Sequence, residues 1–385
     1  MTDRRRHVAI VGAGVMGLSC AVELAAHDGI DVTVIDKGYP GGGSTSRSVG
    51  VYTAQYLERM DIELRRRSIE RLTRLERDAG LNLRRIGYVR VGRDAEATRR
   101  FHRSVEIQRE LGPTEARVID GDELRRLVPH FDGDGVESGL YDPSEGYVDG
   151  AELCTILAEH AQGLGVTVRV KTALQGAREM PDGRVSLATD RGEIAADVVV
   201  NCAGAWGARA GELLGAPIAV VNERHEAYTF ELPPEVDYTV PMVMDYVPAS
   251  DGEGLYFRQE GERQLVVGMH SGDILGAEQV EDPDAYYEGA TQAGIDAIVE
   301  RAAEAFPRLD ELAFRGGWAG LYPHSAEGRP VVGPHPDDPR VIVAAGLGGT
   351  GLNLGPGMAV LVADWVVHGE PRSIEGAAEL VPARR

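Results

Sequence analysis

A chain of 385 residues is too long for one small core and suits two closely joined domains, and a hydrophobic content of 43% in periodic segments belongs to a globular protein. A net charge of −21 argues against a nucleic-acid partner. Lysine occurs only at Lys37 and Lys171. Such an acidic, arginine-based surface suits concentrated salt, or else reflects a GC-rich genome. The longest apolar runs are short and interrupted by glycine, so no membrane span is expected. Arg4-Arg5-Arg6 ahead of apolar residues imitates a signal peptide, but cleavage would remove the glycines that follow, so a cytoplasmic protein is expected. Cys20, Cys154 and Cys202 lie far apart and lack metal-ligand spacing. They read as reduced core thiols, with no disulfide and no metal.

The first element is the apolar β-branched run Val8–Val11, which enters Gly12-Ala13-Gly14-Val15-Met16-Gly17 and then a helical pattern to Ala26. A second apolar run, Val32–Ile35, ends on Asp36. Each part has a task in holding a dinucleotide. Gly12 permits the tight turn, Gly14 admits a pyrophosphate to the backbone, and Gly17 lets helix and strand pack closely. The helix N-terminus offers unpaired N–H groups to phosphate. Asp36 is placed to accept hydrogen bonds from ribose hydroxyls.

A glycine-rich loop, Gly38 to Arg47, follows. The periodicity then predicts helices over 58–78, 94–111 and 149–164, and strands over 166–170 and 184–189 around a Pro181-Asp182-Gly183 turn. Asp197 to Trp206 reads as a buried strand ending in a small-residue turn, before a helix to Leu214. Beyond Ala216 the pattern alternates, with strands at 227–231, 254–258 and 264–269 and a helix over 285–305. This is a separate, mostly antiparallel layer. Finally Val341–Ala345 leads into Gly346-Leu347-Gly348-Gly349-Thr350-Gly351, which opens a helix to His368.

Five landmarks in order then resemble one family: the Gly12–Gly17 turn with Asp36; Gly41-Gly42-Gly43-Ser44-Thr45-Ser46-Arg47; Gly146-Tyr147-Val148-Asp149; Cys202-Ala203-Gly204-Ala205-Trp206; and Trp318-Ala319-Gly320-Leu321-Tyr322 with the Gly346–Gly351 loop. The chain resembles the D-amino-acid oxidase family of FAD enzymes, on the branch of sarcosine oxidase (including its β subunit) and glycine oxidase. The resemblance implies an α/β fold, with a discontinuous Rossmann-like FAD-binding domain (1–85, 147–215, 318–385) and a second, mostly antiparallel β-sheet substrate domain carrying helices (86–146, 216–317). It implies that Gly12, Gly14, Val15, Met16 and Gly17 serve the pyrophosphate, and Asp36 with Lys37 the adenosine. Leu174 meets adenine, and Ser44, Thr45 and Arg47 lie near the ribityl chain and flavin ring. Gly204 passes beneath the cofactor, while Gly348, Gly349, Thr350, Gly351 and Leu352 turn N–H groups to the flavin edge that becomes anionic on reduction. Relatives with covalent FAD use a cysteine at the position of Gly320 or a histidine where Ser44-Thr45-Ser46 stands, so non-covalent FAD is expected.

The chemistry implied is oxidation of an amine or amino acid (sarcosine or N-methyl, D- or cyclic) by hydride transfer from the carbon beside nitrogen to flavin N5. The product is an imine that hydrolyses. Relatives hold the substrate carboxylate with cations at the positions of Thr53, Asn353 or Tyr322, and all three are missing. Arg258 replaces them or bridges the fold, and Arg224 and Arg329 are further candidates. His270 matches an active-site histidine or is a structural residue, while Tyr256 and Tyr322 match tyrosines flanking the pocket. Val266 stands where a lysine assists oxygen in sarcosine oxidase, so a dehydrogenase passing electrons to a protein or quinone is favoured over an oxidase using O2. The alternatives are a subunit of an electron-transfer complex with the same chemistry, or a non-catalytic flavin-binding regulatory subunit. Both a homo-oligomer and a hetero-complex are compatible with the sequence.

Overall fold

The computed structural model describes residues 4–247, 254–269, 278–307, 309 and 312–383. Its first sheet has six strands in the order Val331–Pro334, Val341–Ala345, Val198–Asn201, Arg6–Val11, Ile30–Ile35 and Thr167–Arg169. All neighbours run parallel except the first pair. Both faces are covered, which is why Val8–Val11 and Val198–Asn201 are continuous apolar runs rather than alternating ones. On one face lie the helices Val15–Ala25, Gly150–Gly163 and Gly351–His368. The other face is covered by a three-stranded antiparallel meander, Leu174–Glu179, Val185–Thr189 and Gly192–Ala196.

A larger mixed sheet of nine strands forms the second layer system. Its longest pair is Val220–Glu231 against Ala313–Ser325, antiparallel throughout. One junction is parallel, Met242–Asp245 with Tyr88–Gly92, which joins the early segment to the late one. The helix Gln292–Ala305 covers the outer face over a core that includes Phe131, Phe257 and Phe306.

Helix starts follow capping chemistry. Asp94 and Asp149 each accept a backbone N–H three residues on, at 2.7 Å, so the helices begin at Ala95 and Gly150 as the sequence suggests. The helix expected from Ala285 instead begins at Gln292, after the Thr291 cap. The Tyr287 and Gly289 carbonyls there accept from the Arg224 guanidinium, which ties this segment to the large sheet.

Many strands escape the sequence pattern, among them Tyr88–Gly92, Ser138–Asp142 and Met242–Asp245 of the large sheet. Leu174–Glu179 and Gly192–Ala196 are short and half exposed. Ala313–Ser325 contains Gly316, Gly317 and Gly320, which carry little β preference, and pairing with Val220–Glu231 imposes the strand. It therefore runs through the expected 317/318 domain boundary. The helix Gly351–His368, with its 310 lead-in, is long and apolar enough to cross a membrane, contrary to the expectation that no segment would be. It is a core helix, however, with 78% of its apolar window buried inside the fold.

Candidate active site

Two helices aim their N-termini into one cleft. Neither the N-cap Gly14 of Val15–Ala25 nor the N-cap Thr350 of Gly351–His368 makes a side-chain capping bond, and neither first turn carries an acid. The first turns and both positive dipole ends thus face the same space, with the Val15 N–H meeting the Thr45 hydroxyl at 3.3 Å. Gly12 has φ +107°, and a Cβ there would lie 2.5 Å from the Cys202 oxygen. At Gly17 a Cβ would meet the Gly12 oxygen at 1.9 Å, so Gly17 packs the helix against the turn and does not itself line the cleft. Gly14 differs from both. A Cβ there would meet no protein atom nearer than the Thr45 hydroxyl at 3.4 Å, so the space it leaves open faces a ligand rather than the fold.

The cleft is long and has two lobes that share Gly12, Asp36, Gly42, Gly43, Ser44 and Arg47. One lobe is bounded by Lys37, Leu174 and Trp206, and Lys37 sits 4.1 Å above the Trp206 ring while pairing with Asp284. Asp36 stands between the lobes. Its two carboxylate oxygens accept from the Ala13 and Gly38 N–H groups, each at 2.7 Å, which fixes the acid and leaves a lone pair on each oxygen for a hydroxyl. The other lobe is lined by Val15, Met16, Thr45, Gly204, Gly348, Gly349, Thr350, Gly351 and Leu352. Beyond them it ends against Tyr56, Tyr88, Met242, Met244, Tyr256 and Tyr322.

Several expected site residues meet there. Tyr256 and Tyr322 are hydrogen-bonded through their hydroxyls; burial pushes the Tyr322 hydroxyl up to about 12, and that of Tyr256 well above its usual value. Arg47 lies along the cleft, donating to the Gly42 and Gly43 carbonyls at 2.7 and 2.9 Å and pairing with Glu288. Asn353 lines the cleft but has a positioning task. Its amide accepts from the Thr53 N–H and donates to the Thr53 carbonyl, both at 3.0 Å.

Arg258 is not the carboxylate clamp. It points away from the cleft, donating to the Val49 carbonyl at 2.8 Å, pairing with Glu260 and lying 3.7 Å over the Tyr147 ring. It ties its strand, Leu255–Glu260, to the Val49 segment and to Tyr147 instead. Arg224 is likewise buried in an ion pair with Glu226, and Arg329 is exposed outside the cleft. His270 lies outside the described residues.

Other cleft residues were invisible to the sequence. His225 stacks on Tyr322 with ring centroids 3.9 Å apart, and burial lowers its pKa against the opposing pull of Glu223. Tyr88, Met242 and Met244 reach the site through sheet pairing, and Tyr56 from the loop before the helix Arg59–Ala79; no local motif marks them. Glu145 lies one layer behind, fully buried. Its Oε1 accepts from the Ala54 N–H at 2.6 Å and the Gln55 amide at 3.0 Å, and its Oε2 meets the Thr53 hydroxyl. Burial, reinforced by nearby Asp142, pushes its pKa up to about 8.

A parallel sheet feeding an uncapped helix, with an acid closing the second strand, defines a dinucleotide-binding protein. A second helix N-terminus on the far lobe fits a group that becomes negatively charged there, as a flavin does. Residues 7–365 match the DAO family model, FAD dependent oxidoreductase, and the chain belongs to that family. It is 26% identical over 375 residues to the glycine oxidase of Geobacillus kaustophilus, covering 95% of this chain and 94% of that one. It is also 26% identical over 377 residues to the mitochondrial dimethylglycine dehydrogenase of Rattus norvegicus, covering 95% of this chain and 43% of that one. The chain thus spans less than half the length of that dehydrogenase. Its fold matches the crystal structure of L-proline dehydrogenase from P. horikoshii with TM-score 0.84 at 23% identity, covering 98% of this chain and 97% of that one.

Proposed function

We propose that this protein oxidises the C–N bond of a small amine or amino acid and passes the electrons to a separate protein or a quinone. The observation that supports this best is the junction of the cofactor lobe with an end lined by four tyrosines and two methionines. Relatives named glycine oxidase, dimethylglycine dehydrogenase and L-proline dehydrogenase act on such molecules.

FAD, when bound, supplies the two-electron acceptor. The chain does the rest. Gly14, Val15 and Asp36 would hold the cofactor's pyrophosphate and ribose, and Lys37 and Leu174 would flank its adenine end. N–H groups at Gly351 and Leu352 would offer hydrogen bonds to negative charge at the far lobe. Tyr256, Met242 and Tyr88 exclude water from the reacting carbon. His225, kept neutral by burial and with Nε2 facing Glu223 at 3.2 Å, offers its other ring nitrogen to the proton that the amine must lose. Val266 is buried where relatives place an oxygen-assisting lysine, which supports an acceptor other than O2. Gly320, 3.2 Å from the Arg47 side chain when given a Cβ, offers no nucleophile for attachment, so the FAD is non-covalent.

The test is anaerobic bleaching of the yellow protein, in concentrated potassium chloride, by a panel of amines, N-methyl amino acids and D- and L-amino acids. Bleaching by one class with slow recolouring in air is expected, and acid-precipitated protein is expected to be colourless. FAD-loaded protein that no compound bleaches would overturn the reading, and rapid recolouring in air would overturn the choice of acceptor.

A further inference from the structure

The substrate chamber carries no direct cation among its described lining residues except Arg47, and Arg47 is committed to Glu288 and two carbonyls. The segments 248–253 and 270–277, outside the described residues, contain neither lysine nor arginine. Two arginines nevertheless stand directly behind the chamber wall. Arg90 is 2% exposed, and its guanidinium donates to the Gln55 carbonyl at 3.0 Å, the Tyr246 carbonyl at 2.6 Å and the Tyr88 hydroxyl at 3.0 Å. Among the described residues it forms no ion pair. Arg65, also 2% exposed, pairs only with the half-exposed Asp61, leaves its Nε without a hydrogen-bond partner, and lies 3.4 Å over the Tyr56 ring. Tyr56 is therefore flanked by both cations, with Arg90 at 5.2 Å from its ring.

A buried guanidinium without a carboxylate is costly unless an anion comes close. Glu145 does not pair with it, because its oxygens take the Ala54, Gln55 and Thr53 donors instead. The Tyr88 hydroxyl accepts its hydrogen bond from Arg90, so its own proton is left to donate, strengthened by the charge behind it. Tyr88 and Tyr56 both line the chamber. An ammonium group at the same place would be repelled by the two guanidinium groups, which disfavours the alternative of a tyrosine cage for a cation.

We infer that Tyr88, backed by Arg90, and Tyr56, backed by Arg65, form an indirect anion subsite that receives the substrate's carboxylate in place of a direct arginine or lysine clamp. This rests on the proposed amine or amino-acid oxidation, and it makes Tyr88 and Arg90 specificity-determining residues. Charge at one remove costs affinity relative to a direct ion pair but leaves the chamber wall uncharged.

The test titrates the FAD-loaded protein with acetate, with benzoate and with tetramethylammonium, at constant chloride, following the flavin absorbance. The carboxylates are expected to perturb the spectrum saturably and tetramethylammonium to leave it unchanged. Tyr88→Phe, which keeps the ring, is expected to weaken carboxylate binding by roughly ten- to a hundred-fold, the worth of a charge-assisted hydrogen bond. Arg90→Lys, which keeps the charge, is expected to lose less than Arg90→Gln. Equal carboxylate affinity in Tyr88→Phe and the parent, or perturbation by tetramethylammonium alone, would overturn the subsite. Absence of FAD from the purified protein would instead count against the family's cofactor reading, so the two failures are distinct.

Discussion

Glu145 offers the sharpest test of how the layer behind the chamber is built. Its pKa rises from 4.5 to about 8 on folding, so the folded chain keeps a proton that the unfolded chain releases above 4.5. Stability should therefore fall as pH climbs from 4.5 to about 8 and then level off. The full effect corresponds to about 5 kcal/mol, an upper bound that relaxation around the group lowers.

Glu145 Oε1 accepts from Ala54 and Gln55, and Oε2 faces the Thr53 hydroxyl, which donates to the ionised acid and turns to accept from the O–H of the neutral one. Glutamine reproduces that arrangement, with its amide NH2 in place of the O–H. Glu145→Gln should therefore match the parent near pH 4.5 and exceed it increasingly towards pH 8. Thermal unfolding of both FAD-loaded proteins, side by side in the same potassium chloride, measures the gap. A gap that does not change with pH, or a variant weaker than the parent at pH 8, would refute the assignment of a buried neutral acid.

Two further outcomes follow from the geometry of the cleft. Gly14→Val should fold with an unchanged unfolding temperature as apoprotein yet lose FAD affinity, because its side chain enters ligand space; Gly17→Ala should destabilise the fold itself, since its Cβ meets the Gly12 oxygen at 1.9 Å. Unfolding scans with and without added FAD separate the two effects. Asn353→Ala removes both bonds to Thr53 and leaves a buried N–H and carbonyl unpaired, which should cost about 1–3 kcal/mol for each group. An unfolding temperature equal to the parent's would show that the pair does not carry the Thr53 segment.

What the sequence determined by itself is the cofactor end. The turn at Gly12–Gly17, Asp36 and the Gly348–Gly351 loop are local devices: a positive φ, a short approach and a helix start are each written in a few consecutive residues. Asp94 and Asp149 marked helix starts for the same reason. The tertiary structure decided the substrate end. Thr53 and Asn353 are 300 positions apart, and Tyr88 joins Met242 only through a parallel pairing that no local pattern announces. The direction of Arg258 was equally hidden, because an arginine on a strand faces the cleft or the neighbouring sheet according to what packs beside it. Here the Val49 carbonyl and the Tyr147 ring took it. Arg90 shows the same dependence. Its sequence neighbours single out no element, and its charge acquires meaning only when folding sets it on the strand Tyr88–Gly92, behind Tyr88. Backbone conformation is settled over a few residues, whereas the chemistry of a chamber depends on side chains that only distant strand pairing brings face to face.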